Sequence, residues 1–288
     1  MSGGRMFGRE RIELKTPEQV LVMRRAGLVV AEALRATVAA AVPGATTADL
    51  DAVAAEVIRS RGATPSFLGY HGYPATLCVS VDEEVVHGIP GGRRLVEGDV
   101  VSIDCGAVVD GWHGDSAVSV VVGAADPLDA ELVETTRQAL WAGIAALHGE
   151  PRLGAVGEAV EDAVEHAVGQ GANGGVPYGL VEEYTGHGIG TAMHQPPDVL
   201  NYRTRDRGPR VRPGMCLAVE PMVVRGSAAV HELADEWTVV TDDGSRAAHW
   251  EHTVAVLDDG LWVLTAADGG RAELEARGVP VSALADRT

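Results

Sequence analysis

Lysine is almost missing from this chain: Lys15 stands alone against twenty-two arginines. Acidic residues outnumber both, 41 against 23, which leaves a formal net charge of −18. A surface of that sign repels nucleic acid and anionic lipid, which select basic patches. It leaves open a transient ribosome contact through a local patch. The lysine shortage, beside many alanines and glycines, is genomic composition and carries no functional meaning. Cysteine is scarce as well. Cys78, Cys105 and Cys216 are odd in number and lack C-x-x-C spacing, which excludes a disulfide framework and a thiolate zinc site and fits a reducing cytosol. Long apolar runs are missing. The longest apolar helical stretch, Gly27 to Val42, is broken by Glu32 and Arg35 and is too short for a bilayer. Residues 1–15 carry charges throughout and no apolar signal core, so they read as a flexible lead-in. A soluble cytoplasmic protein is expected.

What is present suffices for a large core, with 46% hydrophobic and 22% charged residues in 288. The chain is organised around Gly98 to Ser116, GDVVSIDCGAVVDGWHGDS. Val100 to Ala107 reads as a strand, Asp110-Gly111 as a two-residue hairpin turn, and Trp112 onward as the return strand. That register pairs Val109 with Trp112 and sets Asp104 opposite Ala117. Asp104 and Asp115 then share one face as diagonal neighbours, about 7–8 Å apart at the backbone. Two inward acids on an apolar hairpin are costly unless a cation lies between them. A polar hairpin face wetted by solvent would give the same pattern.

Around this hairpin the chain alternates helices and strands. Thr16-Pro17-Glu18-Gln19 is a helix start with a capping box, for a helix reaching about Val42. Thr47 is read as the cap of a second helix ending near Arg61. A strand follows over Thr76 to Val81. Helices are expected over Leu128–Leu147 and Val156–Val168, with Pro151 between them. Residues 195–213 read as a polar, proline-rich loop. Strands cover Met215–Val224, Glu236–Thr241, Glu251–Leu257 and Trp262–Leu264, and residues 268–288 read as a peripheral tail with a short helix.

The chain also repeats itself. Paired helices occur at 16–62 and 128–169, His87-Gly88-Ile89 is echoed by His187-Gly188-Ile189, and Glu97–Asp104 matches Pro213–Glu220. In the last pair a glycine precedes by six residues a carboxylate that ends an apolar strand. Two related α/β halves sharing one core, about 16–125 and 126–267, are expected. A pseudo-twofold relation would bring their acids together.

Asp104, Asp115, Glu220 and Glu251 all sit in apolar strand sequence. Four converging carboxylates cannot all ionise in a buried cleft without cations. Carboxylates with one imidazole suit Mn, Fe(II) or Co, with Zn possible, and bridging carboxylates favour two ions roughly 3.5–4 Å apart. His187, in Gly-His-Gly-Ile-Gly, is the candidate nitrogen ligand. His87 and His194 are either surface histidines or donors to the carbonyl oxygen and amide of a substrate. His113, His249 and His252 read as structural, and the cysteines as core or pocket wall.

These motifs resemble the type I methionine aminopeptidases, in their short bacterial form, from about residue 16 to 266. The carriers are GYHGYPATLCVSVDEEVVHGIP (69–90), GDVVSIDCGAVVDGWHGDSA (98–117), TGHGIG (185–190), His194, LAVEPMV (217–223) and EWTVVTDDGSRAAHWEHTVAV (236–256). The resemblance implies a pita-bread fold, α/β (α+β), with a curved, mostly antiparallel sheet and helices on its outer face. It implies a monomeric dinuclear-metal enzyme that removes initiator methionine from nascent chains whose second residue is small. Asp104, Asp115, His187, Glu220 and Glu251 would hold the metals, with Asp115 and Glu251 bridging and Glu220 shuttling a proton. His87 and His194 would position the scissile amide. Phe67, Tyr70, Tyr73, Cys78, His87, Met193, His194 and Trp237 would form the methionine pocket, Phe67 and Met193 departing from the commoner cysteine and phenylalanine. Asp82 replaces a usual asparagine near a structural monovalent cation. Proline-directed aminopeptidases or prolidases, and scaffolds that kept the fold without chemistry, are the alternatives. The former usually carry an additional N-terminal domain, for which there is no room before Thr16.

Overall fold

A computed structural model describes residues 12–149 and 152–287. The expected lead-in therefore lies mostly outside the described residues, as does Pro151. Helix α1 (Pro17–Ala40) opens with the capping box between Thr16 and Gln19. Helix α2 (Thr47–Ser60) is capped by Thr46 rather than Thr47. Thr46 has the extended backbone that a cap requires, while the Thr47 hydroxyl is engaged with the carbonyl of Gly91.

Strands β1 (Thr64–Pro65), β2 (Leu77–Val81) and β3 (Glu84–Val86) lead to the long hairpin of β4 (Val100–Val109) and β5 (Trp112–Val121). Its register is the expected one, Val109 facing Trp112 and Asp104 facing Ala117. The turn needs positive φ at both central residues, and Asp110 and Gly111 supply 49° and 79°. Strand β4 is the centre of a four-stranded sheet, with β5 on one edge and β2 and β1 along the other. Helix α1 lies against β4 and β5. At that contact a Cβ on Gly114 would stand 2.8 Å from the backbone nitrogen of Gly27, so a glycine pair sets how closely helix and hairpin approach.

The second half repeats the plan. Helices α3 (Pro127–Ala146) and α4 (Ala155–Gly169) precede β6 (Gly179–Leu180), β7 (Gly186–Gly188), β8 (Gln195–Val199), β9 (Cys216–Val219) and β10 (Met222–Val224). Then come β11 (Val230–Glu232), β12 (Val239–Thr241), β13 (Ala247–His249), β14 (His252–Leu257), β15 (Gly260–Val263) and helix α5 (Arg271–Ala276). A five-stranded sheet runs β15-β14-β9-β7-β8, and every pairing between these named strands is antiparallel. Helix pair followed by β2, β4, β5 thus matches helix pair followed by β7, β9, β14.

Two expectations are corrected here. Residues 195–213 are not all loop, because β8 pairs with β7. Its prolines are tolerated at a sheet edge, where the missing N–H is not required. The single strand expected over Met215–Val224 is two, since Pro221 cannot donate to a ladder and the chain changes partners there, β9 joining β14 and β10 joining β13. The tail is fastened to the body: Leu274 is fully buried and Val281 bridges to Leu261. Each half has its own apolar cluster, one around Leu50, Ile58, Leu77 and Ile103, the other around Leu140, Ile144, Leu217 and Val263. The acids lie where the two sheets meet.

Candidate metal centre

Strand alternation and register deliver the carboxylates. Asp104 and Asp115 project from the same face of the β4–β5 hairpin. Glu220 and Glu251 directly follow and precede the paired residues Val219 and His252, so they stand together at one end of that ladder. Strands β5 and β14 join the halves. The Thr253 hydroxyl donates to the carbonyl of Asp115 (2.8 Å) and accepts its N–H (3.1 Å).

Donor atoms of Asp115, His187 and Glu251 lie within 4.8 Å of one another, and all three residues are buried. His187 Nδ1 lies 3.0 Å from the carbonyl of Gly188, so it carries the ring proton and leaves Nε2 bare. That bare nitrogen faces Glu220 Oε1 at 3.5 Å. Asp104 Oδ1, Asp115 Oδ1 and Glu251 Oε1 are buried without a hydrogen-bond partner. Burial raises all four acids above the carboxylate range, and mutual repulsion adds to it for Asp115, Glu220 and Glu251. Desolvation pushes His187 down to about 3. Orphaned carboxylate oxygens and a lone-pair imidazole nitrogen, aimed at one volume, fit divalent cations. The polar-face alternative is overturned by this burial.

A cavity of ≈ 110 Å³ opens beside the acids, lined by all thirteen candidate site residues. That volume suits one unbranched side chain or a few waters, each taking about 30 Å³ of liquid. Phe67, Tyr73, Cys78 and Met193 form its buried apolar wall, with Tyr70 and Trp237 packed against them. Tyr73 meets Trp237 edge to face at 4.9 Å, and its hydroxyl donates to the carbonyls of Leu77 and Gly88. His87 occupies the left-handed region at φ 58°, a strained conformation for a side-chain-bearing residue. Its ring lies 5.4 Å from Tyr184, and burial holds it down to about 4. His194 stacks edge-on against His187 at 4.3 Å and shares a 2.7 Å hydrogen bond with the Tyr70 hydroxyl. A larger groove of ≈ 470 Å³ between α4 and Tyr178–Leu180 holds none of these residues.

Sequence reasoning missed the supports. Asn201, 1% exposed, donates to the carbonyl of Glu220 (3.2 Å) and accepts its N–H, holding that backbone from a loop without any marking motif. Ala75 and Ile89 pack with the apolar wall residues in the same cluster. His249, at the end of β13, faces Glu220, although it reads as structural. His252 is turned away, bonded to Thr265 and Ser116, and His113 is bonded to Ser66. Asp82 does not fit a cation. Its carboxylate is flanked by Arg246 (3.2 Å) and Arg93 (3.5 Å) and accepts the Val100 N–H, so guanidinium groups already meet its charge.

Known proteins place this arrangement. The model of metallopeptidase family M24 matches residues 22–258. "Methionine aminopeptidase 1" of Mycobacterium tuberculosis is 50% identical over 262 residues, covering 91% of this chain and 97% of that protein. The Bacillus subtilis protein of the same name is 43% identical, covering 87% and 98%. Among solved structures, methionine aminopeptidase from Rickettsia prowazekii superposes with a TM-score of 0.83 at 34% identity, covering 89% of this chain and all of that one. The repeated halves, the sheet with its helices outside and the buried acids at the junction agree with that likeness, and the chain belongs to metallopeptidase family M24, in the branch of the methionine aminopeptidases.

Proposed function

We propose that this chain is a dinuclear-metal aminopeptidase that removes the initiator methionine from nascent chains with a small second residue, in the cytoplasm and in transient contact with the ribosome. The observation that carries the reading is the set of orphaned carboxylate oxygens converging with the bare His187 Nε2 beside a cavity of side-chain size. Family membership and the 50% identical relative support it.

In this reading Asp104, Asp115, His187, Glu220 and Glu251 would hold two divalent ions. Carboxylates with one imidazole favour Mn, Fe(II) or Co, with Zn accommodated. When bound, such ions lower the pKa of water and polarise a carbonyl oxygen. The protein does the rest. Phe67, Tyr70, Tyr73, Cys78, Met193 and Trp237 desolvate the methionine side chain and fix its depth, which sets the scissile amide beside the acids. Glu220 takes a proton from the attacking water and returns it to the leaving amine. His87 and His194, kept neutral by burial, donate hydrogen bonds to the carbonyl oxygen and hold the amide as charge develops.

The test is release of free methionine from Met-Ala-Ser by metal-stripped protein titrated with Mn, Fe(II) and Co, with Asp104→Asn in parallel and Ala-Pro-Ala as control. Metal-dependent release that the variant loses by about a thousandfold, the several kcal/mol a Lewis acid supplies, is expected. Cleavage of the proline control alone, or no cleavage with any metal, would overturn the reading.

A further inference from the structure

The imidazole of His249 approaches the Glu220 carboxylate at the oxygen that does not face His187. It lies on β13, two residues before Glu251, and is 2% exposed. Its backbone is immobilised: the N–H donates to Ser119 Oγ at 2.9 Å, the carbonyl accepts the Ser119 hydroxyl at 2.8 Å, and Ser119 is bonded in turn to Ser102. Nε2 of the ring is buried with no hydrogen-bond partner. Glu220 Oε2 stands 3.7 Å from it, while the other oxygen of that carboxylate faces His187 Nε2 at 3.5 Å. One carboxylate is thus held between two imidazoles, with one oxygen toward each.

A buried ring nitrogen aimed at a carboxylate calls for a proton between them, since a lone pair facing a carboxylate oxygen is repelled and an unpaired N–H is costly. A neutral imidazole holds one proton, on one of its two nitrogens. A gap of 3.7 Å closes to a hydrogen bond with a small carboxylate rotation, and such contacts tighten when a site is loaded. Groups around metal ligands commonly fix their orientation in this way.

We propose that His249, as the Nε2–H tautomer, donates to Glu220 Oε2 and so turns Oε1 toward the metal centre and the attacking water. His249 is a positioning residue: it acts through Glu220 and touches no substrate. The inference rests on the metal-centre reading of Glu220.

The first experiment uses the full-length wild-type protein loaded with Zn²⁺, which is diamagnetic. A long-range proton–nitrogen correlation spectrum of the histidine rings, assigned by comparison with His249→Gln, should show His249 protonated at Nε2. A ring protonated at Nδ1 would overturn the proposal. The second measures Mn²⁺ binding by calorimetry and steady-state kinetics on Met-Ala-Ser. His249→Leu should weaken Mn²⁺ binding about 10–100-fold and lower kcat by about tenfold, with KM moved less than about twofold. His249→Gln, whose amide can donate to Glu220, should recover most of both losses. Wild-type Mn²⁺ affinity in the leucine variant, or a glutamine variant no better than leucine, would also overturn it. If the leucine variant does not fold, the tautomer and the glutamine variant decide. Failure of wild-type protein to bind Mn²⁺ would sink the metal-centre reading itself, a result distinct from a leucine variant that binds normally.

Discussion

Ala117 and Glu251 exchange backbone hydrogen bonds across the junction of the two halves: the Glu251 N–H donates to the carbonyl of Ala117 at 2.9 Å, and the Ala117 N–H returns to that of Glu251 at 3.3 Å. Ala117 also faces Asp104 in the hairpin. One residue therefore indexes an acid from each half. A shift of one position at this seam would turn the acid of one half to the opposite face of its strand. The Ser116 hydroxyl adds a 2.6 Å bond to the Glu251 carbonyl.

Thr253 guards the same seam through its two bonds to the backbone of Asp115, in a site with no exposure. Thr253→Val keeps the shape and leaves a buried N–H and carbonyl unpaired. A loss of about 1–3 kcal/mol is expected, or a fall in Tm of roughly 2–12 °C. Calorimetry on the metal-free protein checks it. An unchanged Tm would mean that the seam is held without this hydroxyl.

The hairpin and the repeat were legible because they rest on local rules: Asp-Gly dictates the turn, the turn dictates the register, and alternation dictates the shared face of Asp104 and Asp115. Helix starts were legible for the same reason, to within the one-residue slip between Thr46 and Thr47. Asn201 was not, because a loop residue's partner is chosen by tertiary approach and leaves no periodic trace. β8 was missed because two prolines mask an edge strand. His249 was not legible either, because β13 ends at that residue and its approach to Glu220 is tertiary.

Tyr70 and His194 provide a kinetic test. Their 2.7 Å hydrogen bond ties down the ring of His194 through Nδ1 and fixes the direction of its other nitrogen. Tyr70→Phe retains the aromatic wall and removes that tie. The bond's net worth of about 0.5–1.5 kcal/mol predicts a fall in kcat of roughly 2–12-fold, with KM nearly unchanged. A rise in KM at constant kcat would instead make Tyr70 a binding residue alone.

Asp129 is 1% exposed at the start of α3 and is paired with both Arg225 and Arg246. Asp129→Asn removes the charge that two guanidinium groups converge on, while Arg246 also donates to the carbonyl of Gly98 in the first half. Removing one partner of a buried pair costs about 3–5 kcal/mol, and the partial exposure of both arginines lowers the expectation to about 2–3 kcal/mol. Urea denaturation measures it. A loss below about 0.5 kcal/mol would mean that water replaces the carboxylate at no cost.

The buried acids make metal-free stability depend on pH in a defined direction. Asp104, Asp115, Glu220 and Glu251 have raised values in the folded state, so above the ordinary carboxylate range of about 4 the native state holds more protons than the unfolded chain. Stability then falls as pH rises through that window. Buried histidines act with the opposite sign: His87 at about 4, with His187 and His249 at about 3, add stability as pH rises toward their unfolded value near 6.5. Above pH 7 the histidine contribution is complete, and the carboxylates titrate together with the three buried cysteines. Burial also holds those thiols protonated in the folded state, so both act with the same sign. The Tm of metal-stripped protein should therefore drop between pH 7 and about 8.5. Metal ligands must be deprotonated, so Mn²⁺ should raise Tm more at pH 8 than at pH 6. At free Mn²⁺ a thousandfold above Kd the gain is about 4 kcal/mol, or roughly 8–16 °C. A metal-free Tm that climbs across this range, or a Mn²⁺ gain that shrinks with pH, would show that the four acids are ionised and solvated without metal, contrary to their burial at the junction of the halves.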